Sequence, residues 1–523
     1  MNKLGLNPRR IPALLVLIIA SITGGVIALW CMSSGVGVNP DSVIYLSAAD
    51  SVIAGEGLKP IAFHHSPKIA GGRTLVSFPP TYPLLLSLSG RLSVDALNGA
   101  KWLHSLLFAL NILLIGIAVY LSTNGSLLAT LCSVLLLLSS PGFLEISMIA
   151  WSEPPFILFI LSAFILLALH IAKSDIRLLV GSALAAGLAM TTRYAGITVL
   201  PPMLLTVLLL KNRDLRGRLK DCLVVLVIGI LPLVAWFLRN RLVADSAANR
   251  SLAFHPMRIS DIKVMVNSLL MLWVPFSGHL YLKVILSLLG AALLGSVIVL
   301  ALKNKVQCEK SVNANSVAQI FAAIFVTIYL LFLFAYNSLV DPVVDLGSRV
   351  LLPVYVFGII LMISVVYELG RNRATLWWGF VALSFALVFL NAVRAVSFAV
   401  YRHTEGNGYA SREWAGSKSI EYARTLSQDR TIYSNGIDAI HFLTRRTALR
   451  IPPKFDPTGG RNNAEFEQDI NAMRSELIQN RAVVIYLNKI TWRWYLPSKE
   501  ELENVYKLPV LIRLDDGVVY GTR

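Results

Sequence analysis

IPALLVLIIASITGGVIALWC, running from Ile11 to Cys31, is an uninterrupted apolar stretch preceded by Lys3, Arg9 and Arg10. A secretory signal has a similar basic start, but its apolar part is only roughly 7–15 residues and ends on small residues at a cleavage site. Here the run is longer, and Trp30 stands before Cys31. It reads as a retained first membrane span. Runs of about 20 apolar residues, the length a helix needs to cross the hydrocarbon core, recur along most of the remaining chain. Hydrophobic residues make up 55% of the 523 and charged residues 15%, and mean hydropathy is +0.65. Soluble domains average about 25% charged residues. The composition therefore predicts a polytopic α-helical membrane protein, in which each span satisfies its own backbone hydrogen bonds.

The net charge of +17 raises the question of nucleic acid, and its distribution answers it. Fifteen basic residues fall in five short segments that alternate with the spans: the N-terminus, 173–177, 211–220, 303–310 and 371–373. That is the positive-inside pattern of a membrane protein, not a basic binding face. The partners expected are membrane lipids, not nucleic acid. The four cysteines, Cys31, Cys132, Cys222 and Cys308, have no metal-ligand or disulfide spacing and read as packing residues.

With the basic loops cytoplasmic, about eleven spans are expected near 11–31, 100–121, 125–140, 153–172, 177–193, 195–210, 222–240, 279–302, 317–336, 350–369 and 375–398. The N-terminus then lies inside and the C-terminus outside. Four outer segments are long or polar. The first loop, 32–99, has helical stretches at 42–54 and 83–92. The segment 139–155 holds Glu145, Trp151 and Glu153. The loop 239–279 is amphipathic in places, and 336–350 contains Asp341, Asp345 and Arg349. Loops of this size are usually functional. From about residue 401 the composition becomes that of a soluble domain. Strands are expected at 431–433 and 482–487, helices at 414–426, 437–446 and 464–478, and a hairpin around Asp515-Asp516-Gly517. The expected organisation is a membrane region over 1–400 and a small extracytoplasmic α/β domain over 401–523.

Asp41 follows Asn39-Pro40 just beyond the first span. Asn39 or Asp41 is placed to cap the following helix. Alternatively, an ionised carboxylate beside a cavity is placed to act as a base. Arg193 and Arg349 sit at outer helix ends among apolar neighbours, suited either to bind phosphate as a fork or to snorkel toward headgroups, with Asp345 available to Arg349. Glu153 begins an apolar span, where an ionised side chain needs a cavity or a partner. It is placed to orient a substrate hydroxyl, to pair with an arginine, or simply to complement the helix dipole. His64-His65 lacks further ligands at recognisable spacing. The run Trp492-Arg493-Trp494-Tyr495 is suited to packing a domain against the membrane or to stacking on sugars. The reading calls for no metal and no cofactor.

Five segments in register carry a resemblance. They are Pro40-Asp41-Ser42-Val43-Ile44-Tyr45 with Gly55-Glu56-Gly57, Phe78-Pro79-Pro80-Thr81-Tyr82-Pro83, Ser152-Glu153-Pro154-Pro155-Phe156, Thr192-Arg193-Tyr194-Ala195-Gly196, and Ser348-Arg349-Val350-Leu351-Leu352-Pro353. Together they resemble the GT-C membrane glycosyltransferases, in the protein O-mannosyltransferase and ArnT-like branch, over about residues 1–400. The resemblance implies transfer of a sugar, with inversion, from a polyprenyl-phosphate donor to a lipid, glycan or protein acceptor on the non-cytoplasmic face of a bacterial inner membrane. It makes Asp41 the base and Arg349 and Arg193 the donor-phosphate ligands. Glu153, Tyr45, Tyr82, Tyr194, His64 and His65 complete the expected substrate-binding set. Many relatives carry an acidic pair where this chain has Asp41-Ser42, and ArnT-type enzymes a lysine where it has His64, His65, Lys68 and Arg73. A transporter or flippase is the alternative class; it would be expected to show internal repeats and charges deep in its spans.

Overall fold

The computed structural model describes residues 11–61, 74–210, 214–244, 246–273, 314–341, 344–371, 373–456 and 461–522. The helices are α1 (Ile11–Cys31), α2 (Pro40–Ile53), α3 (Thr81–Arg91), α4 (Ala96–Ser122), α5 (Leu127–Leu138), α6 (Pro141–Ser147), α7 (Glu153–Lys173), α8 (Ile176–Thr192), α9 (Leu200–Leu209), α10 (Leu215–Ala244), α11 (Ile259–Trp273), α12 (Ala314–Leu339), α13 (Ser348–Gly370) and α14 (Ala374–Glu405). Seven of them, α1, α4, α7, α10, α12, α13 and α14, are long and apolar enough to cross a membrane. The pair α5 and α6 qualifies as an eighth, bent by 64°, and two shorter apolar helices cover Ile176–Thr192 and Tyr194–Leu209. Of the eleven expected spans, 279–302 lies outside the described residues.

Exposure separates the inner helices from the outer ones. α13 is the central helix, with Leu351, Leu352, Val356, Phe357, Ile359 and Ile360 all inaccessible. Leu383, Phe389, Val393 and Val396 of α14 and Ile19, Ile22 and Val26 of α1 face outward, as lipid-contacting faces do. The first loop is folded back on this bundle. Pro40 opens α2 at its first turn, where a missing N–H costs nothing, and α3 packs between α2 and α4.

Beyond α14 come α15 (Arg412–Ala415), α16 (Lys418–Thr425), α17 (Ile437–Thr444), α18 (Phe466–Ile478) and α19 (Lys499–Asn504). Strands β1 (Ser251–Leu252) and β2 (Val340–Asp341) form a short antiparallel ribbon between loops. Strands β3 (Thr431–Ser434), β4 (Leu449–Arg450), β5 (Ala482–Leu487), β6 (Val510–Leu514) and β7 (Gly517–Tyr520) form a mixed sheet in the order β4-β3-β5-β7-β6. β4, β3 and β5 are parallel, and the β6–β7 hairpin is antiparallel. The sheet's side chains alternate between faces. Tyr433, Ala482, Val484, Val518 and Tyr520 pack with Phe466, Ile470 and Leu477 of α18. Ile432, Val483, Ile485 and Val519 join the cluster that runs on into the membrane helices.

Within the Trp492–Tyr495 run the arginine and the tryptophans take opposite directions. Arg493 turns inward, donating to Asp438 Oδ1 at 2.5 Å and to the Asn435 carbonyl at 2.6 Å. Trp492 and Trp494 remain exposed.

Candidate active site

Three helix N-termini meet above the bundle. Asp41 lies in the first turn of α2, Glu153 opens α7, and Arg349 is the second residue of α13. Each end carries unsatisfied N–H groups and the positive pole of a helix dipole. A carboxylate is favoured at such an end and a guanidinium is not, so Arg349 needs anionic partners. It has two: Nη1 donates to Asp41 Oδ2 at 2.7 Å, and Nε to Glu153 Oε1 at 2.5 Å. Its planar face lies 4.2 Å from the Trp151 ring centroid, a cation–π contact. The alternative pairing of Arg349 with Asp345 is not formed. Nor is Asn39 or Asp41 a side-chain cap: Asn39 occupies the N-cap position without making that bond, and Asp41 reaches across to α13 instead.

Arg193 approaches from the other side. The chain leaves α8 at Arg193 in extended geometry, φ −145° and ψ 136°, and the guanidinium turns toward Glu153. It donates to Glu153 Oε1 and, at 3.1 Å, to Ser152 Oγ. Glu153 is 1% exposed. One of its oxygens serves both arginines, while Oε2 is buried with no hydrogen-bond partner. Two carboxylates and two guanidinium groups thus form a charge-balanced cluster, and pairing is what makes such burial tolerable.

An aromatic wall stands behind it. The Tyr45 hydroxyl shares a 3.3 Å hydrogen bond with Ser152 Oγ, and its ring meets Phe78 and Tyr82 edge-on. Burial and the nearby Asp41 charge push the Tyr45 hydroxyl well above its ordinary range, so it stays protonated. His104 Nδ1 lies 2.8 Å from the Ser147 carbonyl, which can only accept. In the neutral ring that leaves Nε2 as the acceptor for the Tyr82 hydroxyl, at 2.7 Å.

Of the residues expected from sequence, Asp41, Glu153, Arg193, Arg349, Tyr45 and Tyr82 come together here. Tyr194 stands apart: its hydroxyl donates to the Val76 carbonyl and accepts from Trp236 Nε1. His64 and His65 lie outside the described residues. Sequence reasoning missed Trp151, Ser152 and His104 as site residues. Ser152 and Trp151 were within reach, as the immediate neighbours of Glu153. Nothing in sequence spacing marks His104.

The segment before Asp41 is held on both sides. Gly37 N donates to the Met148 carbonyl at 2.8 Å and Ala150 N to the Gly37 carbonyl at 2.9 Å, while Tyr409 N donates to the Val38 carbonyl at 2.8 Å. Gly408 has φ +57°, and a Cβ there would lie 2.1 Å from the Val38 carbonyl oxygen, so the contact requires glycine.

This arrangement can be set beside known proteins. Residues 77–236 match the family model described as dolichyl-phosphate-mannose-protein mannosyltransferase. ArnT from Cupriavidus metallidurans in the apo state superposes with a TM-score of 0.57 over 97% of both chains, at 15% identity. The chain has the GT-C fold. The same GT-C architecture is shared with ArnT bound to undecaprenyl phosphate, at a TM-score of 0.54, 13% identity and 97% coverage of each chain. It is also shared with the archaeal oligosaccharyltransferase AglB from Archaeoglobus fulgidus, in complex with an inhibitory peptide and a dolichol-phosphate. There the TM-score is 0.56 at 13% identity, over 92% of this chain and 69% of that one. Comparison with curated proteins by sequence gives no match.

Proposed function

We propose that this GT-C chain is an integral-membrane glycosyltransferase moving a hexosyl or pentosyl group from a polyprenyl-phosphate donor to a lipid, glycan or protein acceptor, with inversion. The observation that carries the reading is the Asp41–Arg349–Glu153–Arg193 cluster at three converging helix N-termini. Guanidinium forks and helix N-termini are both phosphate ligands. Glu153 fixes both arginines, and an arriving phosphate competes for them with carboxylates already in place. Donor binding at Arg349 releases Asp41 from its ion pair.

In the step proposed, the acceptor oxygen attacks the anomeric carbon from the face opposite the phosphate. Asp41 takes the hydroxyl proton as the new C–O bond forms, and the bond from the anomeric carbon to the phosphate oxygen breaks. The electron pair stays on the polyprenyl phosphate, whose growing charge Arg349 and Arg193 stabilise. A single displacement inverts the anomeric centre.

The basic segments support the side on which this happens. α7 runs from Glu153 to Lys173, and α13 from Ser348 to Gly370 beside Arg371. These helices rise about 30 Å from the site to basic ends. Cytoplasmic placement of those ends supports a site and a C-terminal domain on the non-cytoplasmic face, and the membrane proposed is a bacterial inner membrane.

The test is reconstitution with a radiolabelled polyprenyl-phosphate sugar and an envelope extract as acceptor. Asp41→Asn is expected to lose about 10²–10⁴-fold in transfer rate while still retaining the donor. Wild-type vesicles that carry substrate across the bilayer without cleaving donor would sink the enzyme reading. Equal transfer by both proteins would remove Asp41 from its role.

A further inference from the structure

A cavity of about 500 Å³ lies between α2 and α17, on the face of α2 turned away from the arginine cluster. Ligand pockets commonly enclose roughly 300–1,000 Å³. Val43, Leu46, Ser47 and Asp50 line it, at the i, i+3, i+4, i+7 spacing of a single helix face; Asp41 and Tyr45 project from the opposite one. Its rim is made by the return from α2. Gly55 and Gly57 turn the chain with φ +80° and +82°, a conformation other residues rarely take. Ser51 Oγ then donates to the Lys59 carbonyl at 2.7 Å, and the Ile61 N–H donates to Ser47 Oγ at 3.0 Å. This stitching places Glu56 and Lys59 at the mouth. Across the opening stand His441, Phe442 and Arg445 of the C-terminal domain. Arg445 is held at the end of α17 in left-handed geometry, φ +57°.

The chemistry of this lining favours neither anions nor cations. Asp50 and Glu56 oppose Lys59 and Arg445; among the described residues none of the four is held in an ion pair, and Asp50 spends Oδ1 on the Ala96 N–H at 3.1 Å, which leaves Oδ2 for a ligand. Carboxylates accept hydrogen bonds and the cations donate them, so together they satisfy a ligand carrying many hydroxyl groups. Phe442 adds an apolar surface for the C–H face of a sugar ring. Asp50 is nine residues from Asp41 along one helix, an axial rise of about 13 Å, and on the opposite face, so a glycan that reaches both must also pass around a helix about 10–12 Å across, which takes several linked sugars.

We propose that this cavity is a saccharide site that holds the acceptor, making the acceptor a glycan of several sugars, one of which is engaged at Asp41. The inference rests on the glycosyltransferase reading of the cluster across α2. The test uses the full-length protein in detergent against a panel of neutral gluco-, manno- and galacto-oligosaccharides without donor, with inorganic phosphate as competitor. Wild type and Asp41→Asn are expected to retain the same oligosaccharides. Phe442→Ala and Arg445→Asn, the latter keeping a residue tolerant of left-handed geometry, are expected to bind at least tenfold more weakly; Arg445→Asn does so with unchanged thermal stability, while Phe442→Ala, whose ring also packs on the core, melts lower but stays folded at the assay temperature. Donor consumption, measured separately with the polyprenyl-phosphate sugar and water as acceptor, is expected to be unaffected in both cavity variants. Retention of no oligosaccharide, retention unchanged in both variants, or displacement by inorganic phosphate overturns the saccharide site. Failure of wild type to consume donor with the envelope extract as acceptor removes instead the reading on which the site's acceptor role rests.

Discussion

Glu153 uses one oxygen for two arginines and leaves the other unpartnered in a buried position, an arrangement that favours positioning over simple neutralisation. Arg349 depends on guanidinium geometry: separate nitrogens reach Glu153 and Asp41 while the plane rests on Trp151. A lysine has one compact ammonium and cannot do all three. Arg349→Lys is therefore expected to raise the donor KM by about tenfold or more, a loss of ~1.4 kcal/mol, and to lower the melting temperature because a buried carboxylate loses a partner; donor-titration kinetics and thermal unfolding of the reconstituted protein check this. At this scale the sequence was informative about which residues carry charge at outer helix ends and uninformative about pairing. Arg349 and Asp41 are 308 residues apart, and no local pattern links them. Asp345, four residues from Arg349, was the nearer partner in sequence. The dipole at the start of α13 and the two carboxylates beneath it decide the matter in three dimensions.

Helices and strands were more legible than pairings, because hydrophobic period and turn chemistry are local. β5 occupies the expected 482–487, and α2 begins at Pro40, two residues before the expected helical stretch. The helix α6 was missed. Ser140 caps it and Pro141 opens it, a local signal hidden within what read as the end of a span and a polar loop. Two element-scale consequences are measurable. Gly408→Ala places a Cβ against the Val38 carbonyl and is expected to cost about 2 kcal/mol or more, read as a lowered melting temperature, and to reduce transfer because Asp41 follows directly on that segment. In the C-terminal domain, Asp516 accepts from Ser417 Oγ, and from Ser419 N at 3.1 Å and Oγ at 2.8 Å, tying the β6–β7 turn to the start of α16. Burial pushes the Asp516 carboxyl up, but these hydrogen bonds outweigh it and hold the group below its ordinary value. A depressed carboxyl contributes stability that is full above the unfolded value of about 4 and is lost as pH falls through the folded one. Thermal unfolding between neutral and acid pH should show a shallower acid loss in Asp516→Asn than in wild type.

For the molecule as a whole, hydropathy and the positions of basic loops were enough to predict a polytopic helical bundle with a small α/β region after it, because membrane solvation constrains every span in the same way. They do not reveal how the two regions are joined. One sheet face shares its packing with the bundle. Asp438 receives the Tyr409 hydroxyl at 2.6 Å and Arg493 at 2.5 Å, and Tyr409 in turn donates its N–H to the Val38 carbonyl. The order of synthesis gives this clasp a further meaning. Asp41 leaves the ribosome among the first residues, yet the strand that fixes its approach is completed only when Asn407, Gly408 and Tyr409 have been made. A chain that stops between Arg349 and Asn407 holds both arginines and both carboxylates but lacks the residues that tie down the segment before Asp41. Expression of residues 1–400 is expected to give a membrane-inserted product without transfer activity, measured against full-length protein at equal abundance.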